Sequence, residues 1–87
     1  MTTSPTSKRV ILVRKAHGFR AGEFAKHIGI SPSRLANIEM GSPLSHDVAV
    51  RIVKAIPGLT LDWLYLNRAE GLTKALSDKL NKYKLDV

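Results

Sequence analysis

Two short apolar patterns separated by a glycine lie in the middle of this 87-residue chain, and they constrain its fold more than any other feature. In the first pattern the apolar residues recur at i, i+3, i+4 and i+7, which places them on one face of a helix. Gly29 ends that pattern, and Ser31-Pro32 begins another, because serine caps a helix and proline suits its first position. The apolar residues are Ala21, Phe24, Ala25 and Ile28 in the first helix, and Leu35 and Ile38 in the second.

The turn between these two helices has only three residues, Gly29-Ile30-Ser31. The small side chain of Ala25 permits a close crossing, and Gly29 can adopt the positive φ that a sharp turn needs. Ile30 is expected to point back to the core. A generic helical hairpin satisfies two or three of these requirements by chance. All of them in register predict a helix-turn-helix over residues 21–40.

The remaining segments also predict helices, which makes the fold class all-α, with five short helices and an amphipathic sixth. The first helix is expected over residues 8–17, although its β-branched run alone would also suit a strand. Ser45 can cap a fourth helix that ends at Pro57-Gly58, and Thr60 can cap a fifth over 61–66. Apolar periodicity predicts the sixth helix over 72–83. A chain of this length allows one domain. Its predicted parts are a flexible N-terminal arm over residues 1–7, a helical domain over 8–66 and a helical extension over 67–87.

Basic residues are concentrated near the start of the chain. The net charge is +7, and residues 1–34 contribute 7 − 1 = +6 of it. This concentration suggests a surface that faces a polyanion, and a solvated surface that keeps the protein soluble is an equally good interpretation. The chain has no cysteine, which excludes a disulfide framework, a thiolate zinc site and a cysteine nucleophile.

Four stretches of the chain form a recognisable set: RKAHGF at 14–19, EFAKHIGIS at 23–31, LANIEMG at 35–41 and LDWL at 61–64. Through them, residues 8–66 resemble the Cro and phage-repressor type of helix-turn-helix domain, the Xre-like family. The resemblance implies a five-helix bundle whose third helix enters the DNA major groove, usually as a dimer on a two-fold symmetric operator. It also implies a partly buried, structural ion pair between Arg14 and Glu39.

Two positions depart from that family's usual pattern. The family usually has a glutamine at the start of the second helix, where it bonds a phosphate, and this chain has Ala21. The preceding residue is usually threonine or serine, and here it is Arg20. Two alternatives follow: Arg20 supplies the phosphate contact instead, or contact with DNA is weakened or lost.

The outward face of the third helix supplies the candidate DNA contacts. Asparagine and arginine can make bidentate contacts to adenine and guanine edges, so Asn37 is expected to read a base, and Arg34 to contact either a base or a phosphate. The alternative is that these are merely exposed polar residues. The candidate base-reading residues are Ser31, Pro32, Ser33, Arg34 and Asn37, and the candidate phosphate ligands are Lys8, Arg9, Arg20, Lys26 and Ser42.

The last predicted helix has a narrow apolar stripe that needs a partner, because a helix this short is marginal in water. It can pack on its own domain, pack on a second subunit, or fray. A single recognition helix covers few base pairs, and paired half-sites supply the missing specificity, which favours a homodimer. The candidate dimerisation residues are Tyr65, Leu66, Leu72, Leu76, Leu80 and Tyr83.

Features of an enzyme are missing from the sequence. The three histidines, His17, His27 and His46, have no metal-ligand spacing, and the chain has neither a Gly-x-Ser-x-Gly motif nor a glycine-rich phosphate loop. We therefore expect no enzyme, metal, cofactor or small-molecule ligand, and no membrane association. The sequence predicts a cytoplasmic, nucleoid-associated DNA-binding transcriptional regulator of bacterial or phage type. It is expected to be a small, homodimeric repressor bound to double-stranded DNA. The alternative is a protein-binding module, an antagonist that binds another regulatory protein and has lost DNA binding.

Overall fold

The structure is a computed structural model that describes residues 5–84. All regular structure within that range is helical, as the sequence predicts. No helix among these residues is long and apolar enough to cross a bilayer. The six helices are α1 (Pro5–Ala16), α2 (Ala21–Ile28), α3 (Pro32–Glu39), α4 (His46–Ala55), α5 (Leu61–Leu66) and α6 (Lys74–Lys84).

Three of these helices begin at hydroxyl residues that the sequence marks as caps. Ser31, Ser45 and Thr60 precede α3, α4 and α5, and each hydroxyl accepts the backbone N–H three residues on, at 3.1, 3.4 and 3.1 Å. A cap of this kind contributes about 1 kcal/mol to helix stability. α2 ends at Gly29, whose φ of +83° is the left-handed conformation that the three-residue turn requires.

The hydrophobic core lies around α1, which packs against α3, α5 and α6, while α4 packs against α2 and α5. Val10 and Val13 on α1 are fully buried in the same hydrophobic cluster as Phe24 of α2 and Leu35 of α3. The β-branched run in α1 is therefore part of a helix that its neighbours cover on more than one side, and not a strand. α2 and α3 pack directly against each other, so the helix-turn-helix is an integral part of this core.

α1 begins at Pro5, three residues earlier than predicted, so the flexible arm over residues 1–7 is wrong for its last three residues. Proline suits the first position of a helix because its fixed φ is helical and its missing N–H needs no partner there. Ser7 is buried, and its hydroxyl donates to the Ile38 carbonyl at 2.6 Å. This contact ties the first turn of α1 to the end of α3. Residues 1–4 of the predicted arm lie outside the described residues.

α6 packs back on its own domain, mainly against α1. Leu76 and Leu80 are buried in the core, and Leu72 and Tyr83 are half-buried. The prediction that Leu76 and Leu80 join a two-fold contact is therefore wrong for this fold, because the core already covers both side chains. Residues 85–87 of the predicted extension lie outside the described residues.

Candidate nucleic-acid interface

α3 divides into a buried and an exposed face. Leu35 and Ile38 point into the core, while Pro32, Ser33 and Asn37 are exposed. Ser33 and Asn37 are separated by four residues, so they share one face of α3. Neither side chain makes a hydrogen bond within the described part of the chain, which leaves both polar groups available to a ligand. The structure thus groups Pro32, Ser33 and Asn37 on one surface, as the sequence indicates.

An ion pair joins the end of α3 to α1. Arg14 Nε donates to Glu39 Oε2 at 2.8 Å, and Arg14 Nη2 donates to Glu39 Oε1 at 3.0 Å. Arg14 Nη1 also donates to the carbonyl of Phe19 at 3.2 Å. The two side chains are only 14% and 12% exposed. This bidentate geometry fixes the orientation of α3 more firmly than a single contact does.

Ser31 has a structural role at the start of α3. Its hydroxyl oxygen accepts the backbone N–H of Arg34, which caps the helix. Ser31 remains exposed, so its hydroxyl hydrogen is free to donate in another direction. The structure therefore records a capping contact for Ser31. The base contact that the sequence predicts for Ser31 stays a prediction.

The guanidinium of Arg34 points towards the start of α4. Arg34 Nη2 donates to Ser45 Oγ at 3.2 Å, and Arg34 Nη1 lies 3.7 Å from Asp47 Oδ2. Asp47 also pairs with Arg51, whose Nη1 donates to the Gly29 carbonyl at 3.4 Å. Asp47 and Arg51 are not among the site residues predicted from the sequence, although their i, i+4 spacing on α4 indicates that the two charges can pair.

Three of the candidate phosphate ligands lie on exposed positions near the helix-turn-helix. Arg20 immediately precedes α2, Lys26 lies on α2, and Ser42 follows α3. The backbone N–H of Arg20 donates to Glu23 Oε1 at 2.9 Å, which fixes the start of α2. Ala21 is exposed at the first position of α2 and offers no polar side chain. A side-chain phosphate contact at this end of α2 therefore depends on Arg20.

The two basic residues at the start of α1 differ in their surroundings. Lys8 is exposed. Arg9 lies against α5, where its Nε donates to the Leu64 carbonyl at 2.7 Å and its Nη2 to the Tyr65 carbonyl at 3.0 Å. Burial lowers the pKa of Arg9, which nevertheless remains charged at neutral pH. Arg9 therefore caps the negative end of α5. Its role as a phosphate ligand stays a prediction.

The histidines have separate structural surroundings. His17 Nδ1 lies 2.8 Å from the Val13 carbonyl, and the His27 ring stacks on Phe19 with 4.9 Å between centroids. His46 is exposed at the first position of α4. Within residues 5–84, no group of three or more histidine, aspartate or glutamate side chains is placed to hold a metal ion.

Comparison with protein families agrees with this geometry. A helix-turn-helix family model matches residues 10–64, which is more than half of the chain. The chain belongs to the Cro/C1-type helix-turn-helix family. Members of this family are DNA-binding regulators, and the family is not one of enzymes. No curated protein and no solved structure gives a significant match. In this family member, the helix-turn-helix is the pair α2–α3.

Proposed function

We propose that this helix-turn-helix protein is a sequence-specific transcriptional repressor that inserts α3 into the major groove of its operator. The observation that supports this proposal is the exposed face of α3, on which the Ser33 hydroxyl and the Asn37 amide have no hydrogen-bond partner among residues 5–84. An asparagine amide can donate to adenine N7 and accept from adenine N6, which discriminates that base pair. Ser33, one turn earlier, can donate or accept.

Rigid support of α3 also favours base reading. The bidentate pair of Arg14 with Glu39 and the bond from Ser7 to the Ile38 carbonyl hold the end of α3 against α1. A helix that is held in one geometry loses less conformational entropy when it binds DNA than a mobile helix does. Arg20 and Lys26 are exposed at the start of α2 and on α2, which packs against α3, and they supply positive charge for phosphates beside the groove.

A homodimer on a two-fold symmetric operator is part of the proposal. α5 ends at Leu66, which is 59% exposed although it is a large apolar side chain. Tyr65 beside it is half-buried, and its hydroxyl donates to the Leu44 carbonyl at 3.1 Å. A two-fold contact at Leu66 would cover the exposed apolar surface and place two recognition helices on successive half-sites. Leu72 and Tyr83 are half-buried and remain candidates for the edge of that contact.

The experiment is selection of bound duplexes from a random double-stranded DNA pool, followed by affinity measurements on the enriched site. Asn37→Ala should weaken binding to that site by about 1–3 kcal/mol and leave binding to unrelated duplexes nearly unchanged. Asn81→Ala removes the same amide from an exposed position on α6, and it should bind like the wild type. Equal losses on selected and unrelated duplexes would show that Asn37 does not read a base.

The selected site then tests the regulatory part of the proposal. A reporter gene placed behind that site should be expressed less when the wild type is present and should recover with Asn37→Ala. If the pool yields no enriched sequence, the protein-binding alternative is favoured. The observation that supports this alternative is the exposed Ala21, which stands where the family usually has a phosphate-binding glutamine.

A further inference from the structure

One carboxylate lies between two guanidinium groups at the junction of α3 and α4. Asp47 Oδ2 is 3.7 Å from Arg34 Nη1, and Asp47 Oδ1 is 3.5 Å from Arg51 Nε. Each arginine side chain is 48% exposed, and that of Asp47 is 61% exposed. We propose that Asp47 restrains the affinity of this protein for DNA by pairing with Arg34 and Arg51 in the free protein. This inference rests on the proposed DNA-binding function.

Both arginines lie beside the recognition helix. Arg34 is in the first turn of α3, next to the exposed Ser33. Arg51 reaches the turn before α3, where its Nη1 donates to the Gly29 carbonyl at 3.4 Å. A duplex that receives the N-terminal half of α3 therefore brings its phosphates near both guanidinium groups.

The two ion pairs are easily exchanged for contacts with phosphate. Their N···O separations of 3.5 and 3.7 Å are longer than the separation in a direct charge-assisted hydrogen bond. Exposed pairs of this kind contribute little to stability because water screens them. They still compete with DNA, since each guanidinium must leave the carboxylate before it binds a phosphate well.

Relief of this competition should act on every duplex alike. Phosphate contacts carry no sequence information, so two freed arginines would increase binding to any DNA. Non-specific DNA is in great excess over an operator and competes with it for the protein. Asp47 thus limits the fraction of the protein that unrelated DNA sequesters, while Ser33 and Asn37 keep their role in recognition.

The test is fluorescence anisotropy of the full chain with a duplex of about 20 bp of arbitrary sequence, over about 50–200 mM KCl. Asp47→Asn should bind about 3- to 10-fold more tightly at about 100 mM KCl, since two weak competing pairs are removed. The slope of log K against log salt should steepen by about 0.9 for each arginine that gains a phosphate.

Two controls separate this effect from net charge and from folding. Asp78→Asn makes the same charge change on an exposed residue of α6, and it should alter affinity by less than about twofold because screening weakens distant charges. Asp47→Glu keeps the carboxylate and should bind like the wild type. Thermal melting of each variant establishes that it is folded at the temperature of the titration.

The decisive comparison repeats Asp47→Asn in an Arg34→Gln/Arg51→Gln background. The gain in affinity should disappear there, because no guanidinium is left to release. A gain of undiminished size would overturn the proposal, since the carboxylate would then act on DNA directly. If the wild type binds DNA and Asp47→Asn changes neither affinity nor salt slope, the restraint alone is wrong. If neither protein binds any duplex at about 50 mM KCl, the restraint and the proposed function are both wrong.

Discussion

Substitution of Glu39 by glutamine tests how strongly the ion pair with Arg14 holds α3. The change keeps the shape of the side chain and removes its charge. Arg14 would retain the Phe19 carbonyl at 3.2 Å and at most one amide oxygen in place of two carboxylate oxygens. Its guanidinium would then be a poorly compensated charge in a site that is about seven-eighths buried.

The burial of the pair sets the size of the expected loss. Removing one member of a fully buried pair costs about 3–5 kcal/mol, and an exposed pair contributes about 0–1 kcal/mol. At 12–14% exposure the pair lies near the buried limit, so we expect Glu39→Gln to lower the free energy of unfolding by about 2–4 kcal/mol. In a domain of this size each kcal/mol corresponds to about 4–8 °C in Tm.

Urea unfolding and thermal melting followed by circular dichroism measure this loss. Glu70→Gln is the matched control because Glu70 is exposed in the loop between α5 and α6, and it should change stability by less than about 0.5 kcal/mol. The double variant Arg14→Met/Glu39→Met should lose less than Glu39→Gln, since it leaves no charge behind. A loss of only a few tenths of a kcal/mol for Glu39→Gln would refute the view that this pair fixes α3.

Three further substitutions test the interface and the packing of α6. Arg20→Ala should make the slope of log K against log salt shallower by about 0.9, and an unchanged slope would remove Arg20 from the phosphate contacts. Leu66→Asp should leave the protein folded and convert a dimer to a monomer in sedimentation equilibrium; a wild type that is monomeric at about tens of micromolar would contradict the proposed dimer. Leu76→Asp should lower the free energy of unfolding by more than about 3 kcal/mol, because it places a carboxylate in the core. Normal melting of that variant would show that α6 packs elsewhere.

The sequence predicts those parts of the fold that depend on local chemistry. Gly29 and Ser31-Pro32 locate the turn because a positive φ and a capped helix start are properties of neighbouring residues. The start of α1 was misplaced because Thr6 and Ser7 are as typical of a mobile segment as of a helix end. The hydroxyl of Ser7 donates to the Ile38 carbonyl, 31 residues away, and no local pattern reveals that contact.

The candidate site shows the same division. Exposure of Ser33 and Asn37 follows from helical periodicity, so the sequence identifies that face of α3 correctly. The directions of the arginine side chains do not follow from periodicity. Arg9 reaches carbonyls 55 and 56 residues away, and Arg34 turns to a helix that begins twelve residues later. Long basic side chains select among several acceptors, and only the packed fold determines which acceptors are within reach.

Packing of α6 on α1 has a consequence for transplanting the helix-turn-helix of this chain into another protein. The family match covers residues 10–64 and omits Ser7, Arg9 and the whole of α6. A graft limited to the matched segment would uncover the α1 surface that Leu76 and Leu80 now cover, and would leave the end of α5 without its arginine cap. A portable unit therefore has to include the start of α1 and the whole of α6 in addition to the matched segment. Within that unit the exposed face of α3 can be exchanged by substitutions in α3 alone, because Ser33 and Asn37 make no side-chain hydrogen bond to the rest of residues 5–84.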